Sequence, residues 1–221
     1  MTAADDSDTP GTYASPPCFM HELGPDGRPV ATADGSQNSR DLSRWRKATR
    51  ERLIAERLAL PAETRQQISE RIAHRLDAAL HPLAEHTIGL YWPFRGEPDL
   101  RPWIKTLVSH GARAALPAVI TKGQPLEFRL WQPGDPLEKG VWNIPVPTQG
   151  AIVAPDVIVA PLVGFDAAGY RLGYGGGFYD RTLRAMPHTP KIIGVGYEIS
   201  RLPTIYPQWH DVPMDTLIVE G

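Results

Sequence analysis

Cysteine is almost missing from these 221 residues: Cys18 stands alone, which rules out an intrachain disulfide and suits a reducing compartment. No uninterrupted apolar run approaches the ~18 residues of a membrane span. No Lys or Arg precedes Arg28, and Asp5, Asp6 and Asp8 stand where signal and transit peptides are basic. A cytoplasmic protein is expected. Excess charge is missing too. Lys+Arg 23 against Asp+Glu 25 leaves a formal −2, which argues against nucleic-acid binding through bulk electrostatics. The seven histidines show no zinc spacing, and no Ser/His/Asp set is discernible. Proline, at 23, is about twice as frequent as average and predicts many abrupt turns. The length and a 42% hydrophobic content suffice for one sizeable core.

Residues 1–38 stand apart. They hold few large apolar side chains and no helical or strand period, so they read as an irregular N-terminal extension that cannot offset its own ordering entropy. Within it Cys18, His21 and Glu22 are metal-ligand types, but one turn of chain makes a poor site without partners. Residues 39–221 read as a single α/β domain. Ser39 or Asp41 can cap a helix running to about Leu58, and Pro61 can open a second, striped by Ile68, Ile72 and Leu76. Strands are predicted at Thr87–Trp92, Ala114–Ile120, Leu126–Trp131, Val157–Leu162, Lys191–Tyr197 and Thr216–Val219. Helices are predicted at Pro98–His110 and Phe178–Met186. The alternation implies a layered domain with a largely parallel or mixed sheet.

The most informative stretch runs from Pro161 to Arg181. A buried strand enters, five glycines fall within residues 169–177, and a helix leaves. Dense glycine lets backbone N–H groups converge on an anion, and the helix N-terminus adds partial positive charge. Arg171 and Arg181 flank the loop with guanidinium groups suited to phosphate oxygens. It is neither a Walker A, lacking Gly-Lys-Ser/Thr, nor a dinucleotide fingerprint, because Phe178 takes the last glycine's place.

Gly164-Phe165-Asp166 followed by Arg171-Leu172-Gly173-Tyr174-Gly175-Gly176-Gly177-Phe178-Tyr179-Asp180 resembles the signature of the 5-formyltetrahydrofolate cyclo-ligase family. Trp142-Asn143-Ile144-Pro145 with Pro147, Tyr91-Trp92-Pro93 with Glu97, and Trp209-His210-Asp211 with Asp215 are similar to further family segments. Together they cover residues 41–221. Some members carry a second Arg and a Lys where Tyr174 and Gly176 stand here.

The resemblance implies a three-layer α/β/α domain that converts 5-formyltetrahydrofolate to 5,10-methenyltetrahydrofolate with ATP and Mg²⁺, releasing ADP and phosphate. It implies ATP contacts from Arg46, Arg50, Arg171, Leu172, Gly173, Tyr174, Gly175, Gly176, Gly177, Phe178 and Tyr179. It implies folate contacts from Arg50, Trp92, Glu97, Trp142, Tyr174 and Phe178. Asp180 and Asp211 are the implied Mg²⁺ ligands, with Asp166 an outer alternative. At ~100° per residue Arg46, Arg50 and Arg57 form one column on the first helix. Alone that column reads equally as a solvated face beside Glu51 and Glu56. The family's basic positions there favour an anion, with Arg57 aligning least well. Gly176 should accept a side chain, as the family Lys does; Gly175 and Gly177 should not. The partners expected are these small molecules alone, acting on a monomer without nucleic acid or membrane. The alternative is a non-catalytic folate- or nucleotide-binding protein on the same scaffold; a remoter one makes residues 1–38 an interaction segment.

Overall fold

The structure, a computed structural model, describes residues 35–221. The expectations for Cys18, His21 and Glu22 fall outside the described residues. The first helix, α1, spans Gly35–Ala59, so it begins upstream of both expected caps, Ser39 and Asp41. The described residues divide into two units within α1, between Arg52 and Leu53. The first is a stretch of helix whose surface carries Asp41–Arg44 at 3.3 Å and Lys47–Glu51 at 4.0 Å. Such exposed pairs contribute only a few tenths of a kcal/mol.

The second unit is built on a sheet. Pro61 takes the N-cap of α2 (Ala62–Leu80), where its missing N–H costs nothing. There follow β1 (Thr87–Gly89), α3 (Arg101–Ser109), β2 (Arg113–Ala118), β3 (Glu127–Leu130), a hairpin of β4 (Leu137–Lys139) and β5 (Pro145–Pro147), and β6 (Ile152–Val153). The chain continues through β7 (Val157–Pro161), a second hairpin of β8 (Gly164–Phe165) and β9 (Arg171–Leu172), α4 (Phe178–Ala185), β10 (Lys191–Tyr197) and β11 (Thr216–Glu220). The main sheet runs β11-β10-β7-β1-β2-β3-β6. Its first five strands are parallel; β3 and β6 close one edge antiparallel.

Alternation along each strand sorts the core into two faces. Ile88, Val157, Val159, Ile193 and Val195 pack with Ile68, Ile72 and Leu76 of α2 and Trp103, Ile104 and Leu107 of α3. Ile158 and Ala160 point the other way, toward Leu183 of α4. Burying each large aliphatic contributes about 1.5–3 kcal/mol. The result is the expected three layers. One topological feature positions everything that follows. From β1 the chain crosses to β2 on one side, and from β7 to β10 on the other. The carboxyl ends of β1 and β7 therefore flank a switch point, where the diverging connections leave a crevice.

Candidate active site

The loop leaving β1 at this switch point is pinned from many directions. Arg95 and Gly96 at its bend have φ of 49° and 79°; for arginine that conformation costs about 1–2 kcal/mol. Four side chains hold the loop's carbonyls. Tyr174 donates to Phe94 O at 3.2 Å, Arg57 Nε to Arg95 O at 3.0 Å, Tyr197 to Gly96 O at 2.9 Å, and Tyr91 to Pro98 O at 2.7 Å.

Glu97 sits inside this frame, 6% exposed. Its Oε2 accepts from the Phe94 amide at 2.9 Å. Its Oε1 is buried without a hydrogen-bond partner. Burial pushes the carboxyl up to about 7, while the Arg57 charge, the Phe94 amide and the Tyr174 hydroxyl hold it from rising further. A buried acceptor left empty costs about 1–3 kcal/mol, which a ligand bearing N–H donors would relieve.

Arg57 is 1% exposed, not a member of an open cationic column. Besides Arg95 O, it donates through Nη1 to Leu162 O at 3.2 Å and through Nη2 to Tyr174 Oη at 2.8 Å. Each of the three nitrogens already serves a protein acceptor and the side chain is buried, so the picture of an open cation does not hold at this residue. Arg46 and Arg50 lie half-buried on α1 upstream of Arg52, within the first unit.

Phe94, Trp142, Tyr174 and Phe178 form an aromatic cluster beside Glu97. Phe94 and Trp142 lie nearly parallel, centroids 6.4 Å apart; Phe94 and Tyr174 are 5.6 Å apart; Phe178 meets Trp142 edge-on at 6.3 Å. Trp142 occupies the tip of the β4–β5 hairpin with φ 58° and remains 52% exposed. A bulky residue held at positive φ is strain retained by its surroundings. Phe94 went unnoticed in the sequence because an isolated Phe near a strand end reads as core. Trp92, expected as the pterin wall, instead packs edge-on against Trp131 at 5.9 Å with the Arg101 guanidinium over its ring. Phe94, two residues later, takes the place beside Glu97.

The glycine loop joins β9 to α4. Gly175 and Gly177 have φ of 90° and 62°, as expected for positions closed to side chains. Gly176 is different from what the resemblance implied: a Cβ there would fall 2.7 Å from the Phe178 ring, so a side chain enters only if Phe178 swings away. Arg181 folds back to donate to Gly176 O at 2.6 Å. Arg171 is buried rather than open, pairing with Asp180 Oδ2 at 2.9 Å and lying over the Tyr179 ring. Yet Arg171 Nη1, Arg181 Nη1 and the Tyr179 hydroxyl are all buried without partners. These are two guanidinium nitrogens and a hydroxyl within one eleven-residue stretch, donor types suited to an anion.

Asp180 also accepts from the Val212 amide at 3.2 Å, which brings it beside Asp211 in the chain. Asp211 in turn accepts from the Gln208 amide at 2.8 Å. Asp166, 2% exposed, takes the amides of Ala168, Tyr170 and Ile205, so it pins the β8–β9 turn. Among the described residues no three His, Cys, Asp or Glu side chains cluster as a ready-made metal cage.

The 5-formyltetrahydrofolate cyclo-ligase family model matches residues 42–220, spanning the pinned loop, the aromatic cluster and the glycine loop. The chain belongs to that family. It is therefore an enzyme, a ligase of folate one-carbon metabolism. The cyclo-ligase of Escherichia coli strain K12 is 34% identical over 174 residues, 73% of this chain and 93% of the relative. That of Mycolicibacterium smegmatis is 32% identical over 170 residues, 73% and 87%. Among solved structures, the 5,10-methenyltetrahydrofolate synthetase of Aquifex aeolicus superposes with a TM-score of 0.68 at 28% identity, covering 79% of this chain and 89% of that one. In this cyclo-ligase fold the loop after β1, at the switch point, holds the carboxylate, and the Tyr174 hydroxyl links the glycine loop to it. No helix among the described residues is long and apolar enough to cross a membrane.

Proposed function

We propose that this cyclo-ligase converts 5-formyltetrahydrofolate to 5,10-methenyltetrahydrofolate with ATP and Mg²⁺, releasing ADP and phosphate. The observation that carries the assignment is the empty, buried Oε1 of Glu97 beside an aromatic cluster at the switch point. A carboxylate whose second oxygen awaits donors is suited to the amino-pyrimidinone edge of a pterin, and Phe94, Trp142 and Phe178 supply faces for the ring.

A formamide oxygen leaves poorly. Transfer of the γ-phosphoryl to it gives an iminium phosphate and ADP; N10 then attacks the carbon, and phosphate departs with that oxygen. Such chemistry needs positioning and charge neutralisation, not a covalent nucleophile. Glu97 fixes the pterin. Arg171 Nη1, Arg181 Nη1, Tyr179 and the amides of Gly173–Gly177 meet the phosphates. The hard carboxylate oxygens of Asp180 and Asp211 would suit a cation such as Mg²⁺. When bound, Mg²⁺ supplies charge neutralisation at the transferring phosphoryl.

The decisive test is steady-state ADP release with 5-formyltetrahydrofolate, alongside the absorbance of the methenyl product. Nucleotide and folate binding without turnover would make the chain the non-catalytic binder. Two substitutions probe the parts. Asp180→Asn is expected to raise the Mg²⁺ concentration for half-maximal rate at least about tenfold, because a neutral amide is a poorer ligand for a hard cation. An unchanged Mg²⁺ titration leaves Asp180 as an anchor for Arg171 and Val212 only. Gly177→Ala is expected to lose ATP binding with about 1–2 kcal/mol of stability, through the left-handed backbone and a Cβ 3.1 Å from Arg181 Nη2. Retained binding by the folded variant would place the phosphates elsewhere.

A further inference from the structure

Phe94 is held through both its N–H and its C=O, in successive peptide units, by the two halves of the site. Its N–H donates to Glu97 Oε2, and its carbonyl accepts from the Tyr174 hydroxyl, which stands in the glycine loop. That same hydroxyl accepts from Arg57 Nη2, while Arg57 also grips the exits of β1 at Arg95 O and of β7 at Leu162 O. Burial pushes the Tyr174 phenol up, so it stays a hydroxyl able to give one hydrogen bond and take another. The relay from Glu97 to the loop is partly buried, and every link is a hydrogen bond of 3.2 Å or less.

We propose that Tyr174 and Arg57 are positioning residues that couple the folate half of the site to the nucleotide half, so that each substrate tightens the other. The inference rests on the proposed function. Its physical basis is the difference in order between the two ends. At the Glu97 end the frame is over-determined by four side chains. At the loop end Gly175 and Gly177 carry high backbone freedom, and Tyr174 is the residue that ties the loop to the frame. Donors arriving at Glu97 Oε1 draw the carboxylate, the Phe94 peptide and the tyrosine into one arrangement. The loop then loses less freedom when the nucleotide binds. By thermodynamic reciprocity the nucleotide must favour folate by the same factor.

The experiment is a binding cycle on the full chain: 5-formyltetrahydrofolate affinity with and without a non-hydrolysable ATP analogue and Mg²⁺, for the parent and Tyr174→Phe. In the parent each ligand should tighten the other about fivefold or more. In Tyr174→Phe the factor should fall to near one, whatever the change in either affinity measured alone. A residue that merely supports the fold would weaken both affinities and leave the factor intact. A coupling factor near one in the parent, or an undiminished one in the variant, overturns the proposal. If the parent binds neither ligand, the proposed function itself fails and takes this inference with it. The unmodified protein gives a second measurement independent of any variant's folding. Amide hydrogen exchange across residues 173–177 should slow at least about fivefold with folate alone, and unchanged exchange overturns the coupling.

Discussion

Replacing Glu97 by Gln is expected to cut folate-dependent turnover about a hundredfold while stabilising the ligand-free protein above pH 7. The first effect follows from exchanging a charged acceptor for a neutral one, at about 1.5–3 kcal/mol for each charge-assisted hydrogen bond. The second follows from the carboxyl's environment. Its value rises from 4.5 to about 7 on burial, so the unfolded chain releases that proton more readily than the folded one. Stability contributed by this group is therefore fully present below about pH 4.5 and lost as pH rises through 7. The full difference approaches about 3 kcal/mol. The buried amide nitrogen of Gln gives part of it back, leaving a gain of about 1–2 kcal/mol at pH 8. Urea unfolding at pH 5 and pH 8 checks the sign: the parent should lose stability between them and the variant should not. A parallel pH dependence in both proteins would remove Glu97 as the cause.

Arg57→Met should have the largest effect on stability, about 3–5 kcal/mol. The substitution strands the buried carbonyl of Leu162 and the part-buried carbonyl of Arg95, and unties the Tyr174 hydroxyl. A fall in the urea midpoint with an unchanged slope would show the loss directly. If the midpoint held and only nucleotide binding suffered, Arg57 would be the ligand-facing cation that helical spacing alone suggested.

That contrast marks where sequence reading stops. The run Val157–Leu162 and the segment Lys191–Tyr197 declared themselves as strands because unbroken β-branched residues need cover on both faces. The four strands of the two hairpins were missed, being two or three residues long with no alternation to detect. Helical spacing puts Arg46, Arg50 and Arg57 in one column, but spacing says which residues share a face and not what that face meets. Arg57's acceptors lie 38, 105 and 117 residues away, beyond any local signal. The place of Glu97 at a strand-to-helix corner was legible because it follows Arg-Gly after a strand; its burial was not. Trp92 and Phe94 were not separable, since a residue at a strand's ragged end faces whichever side the loop turns.

The pinned loop after β1 also governs the order in which this protein acquires its competence during folding. Its clamps come from residues 57, 91, 174 and 197, and only the Tyr91 contact is local. The loop therefore cannot take its strained bend until both connections leaving the switch point are in place and long-range loop closure has been paid for. A partly assembled sheet with α2 and α3 docked would have most of the apolar core and no formed carboxylate pocket. Recovery of folate binding on refolding should thus trail the burial of Trp103 in the core, and coincide with the last strands to join.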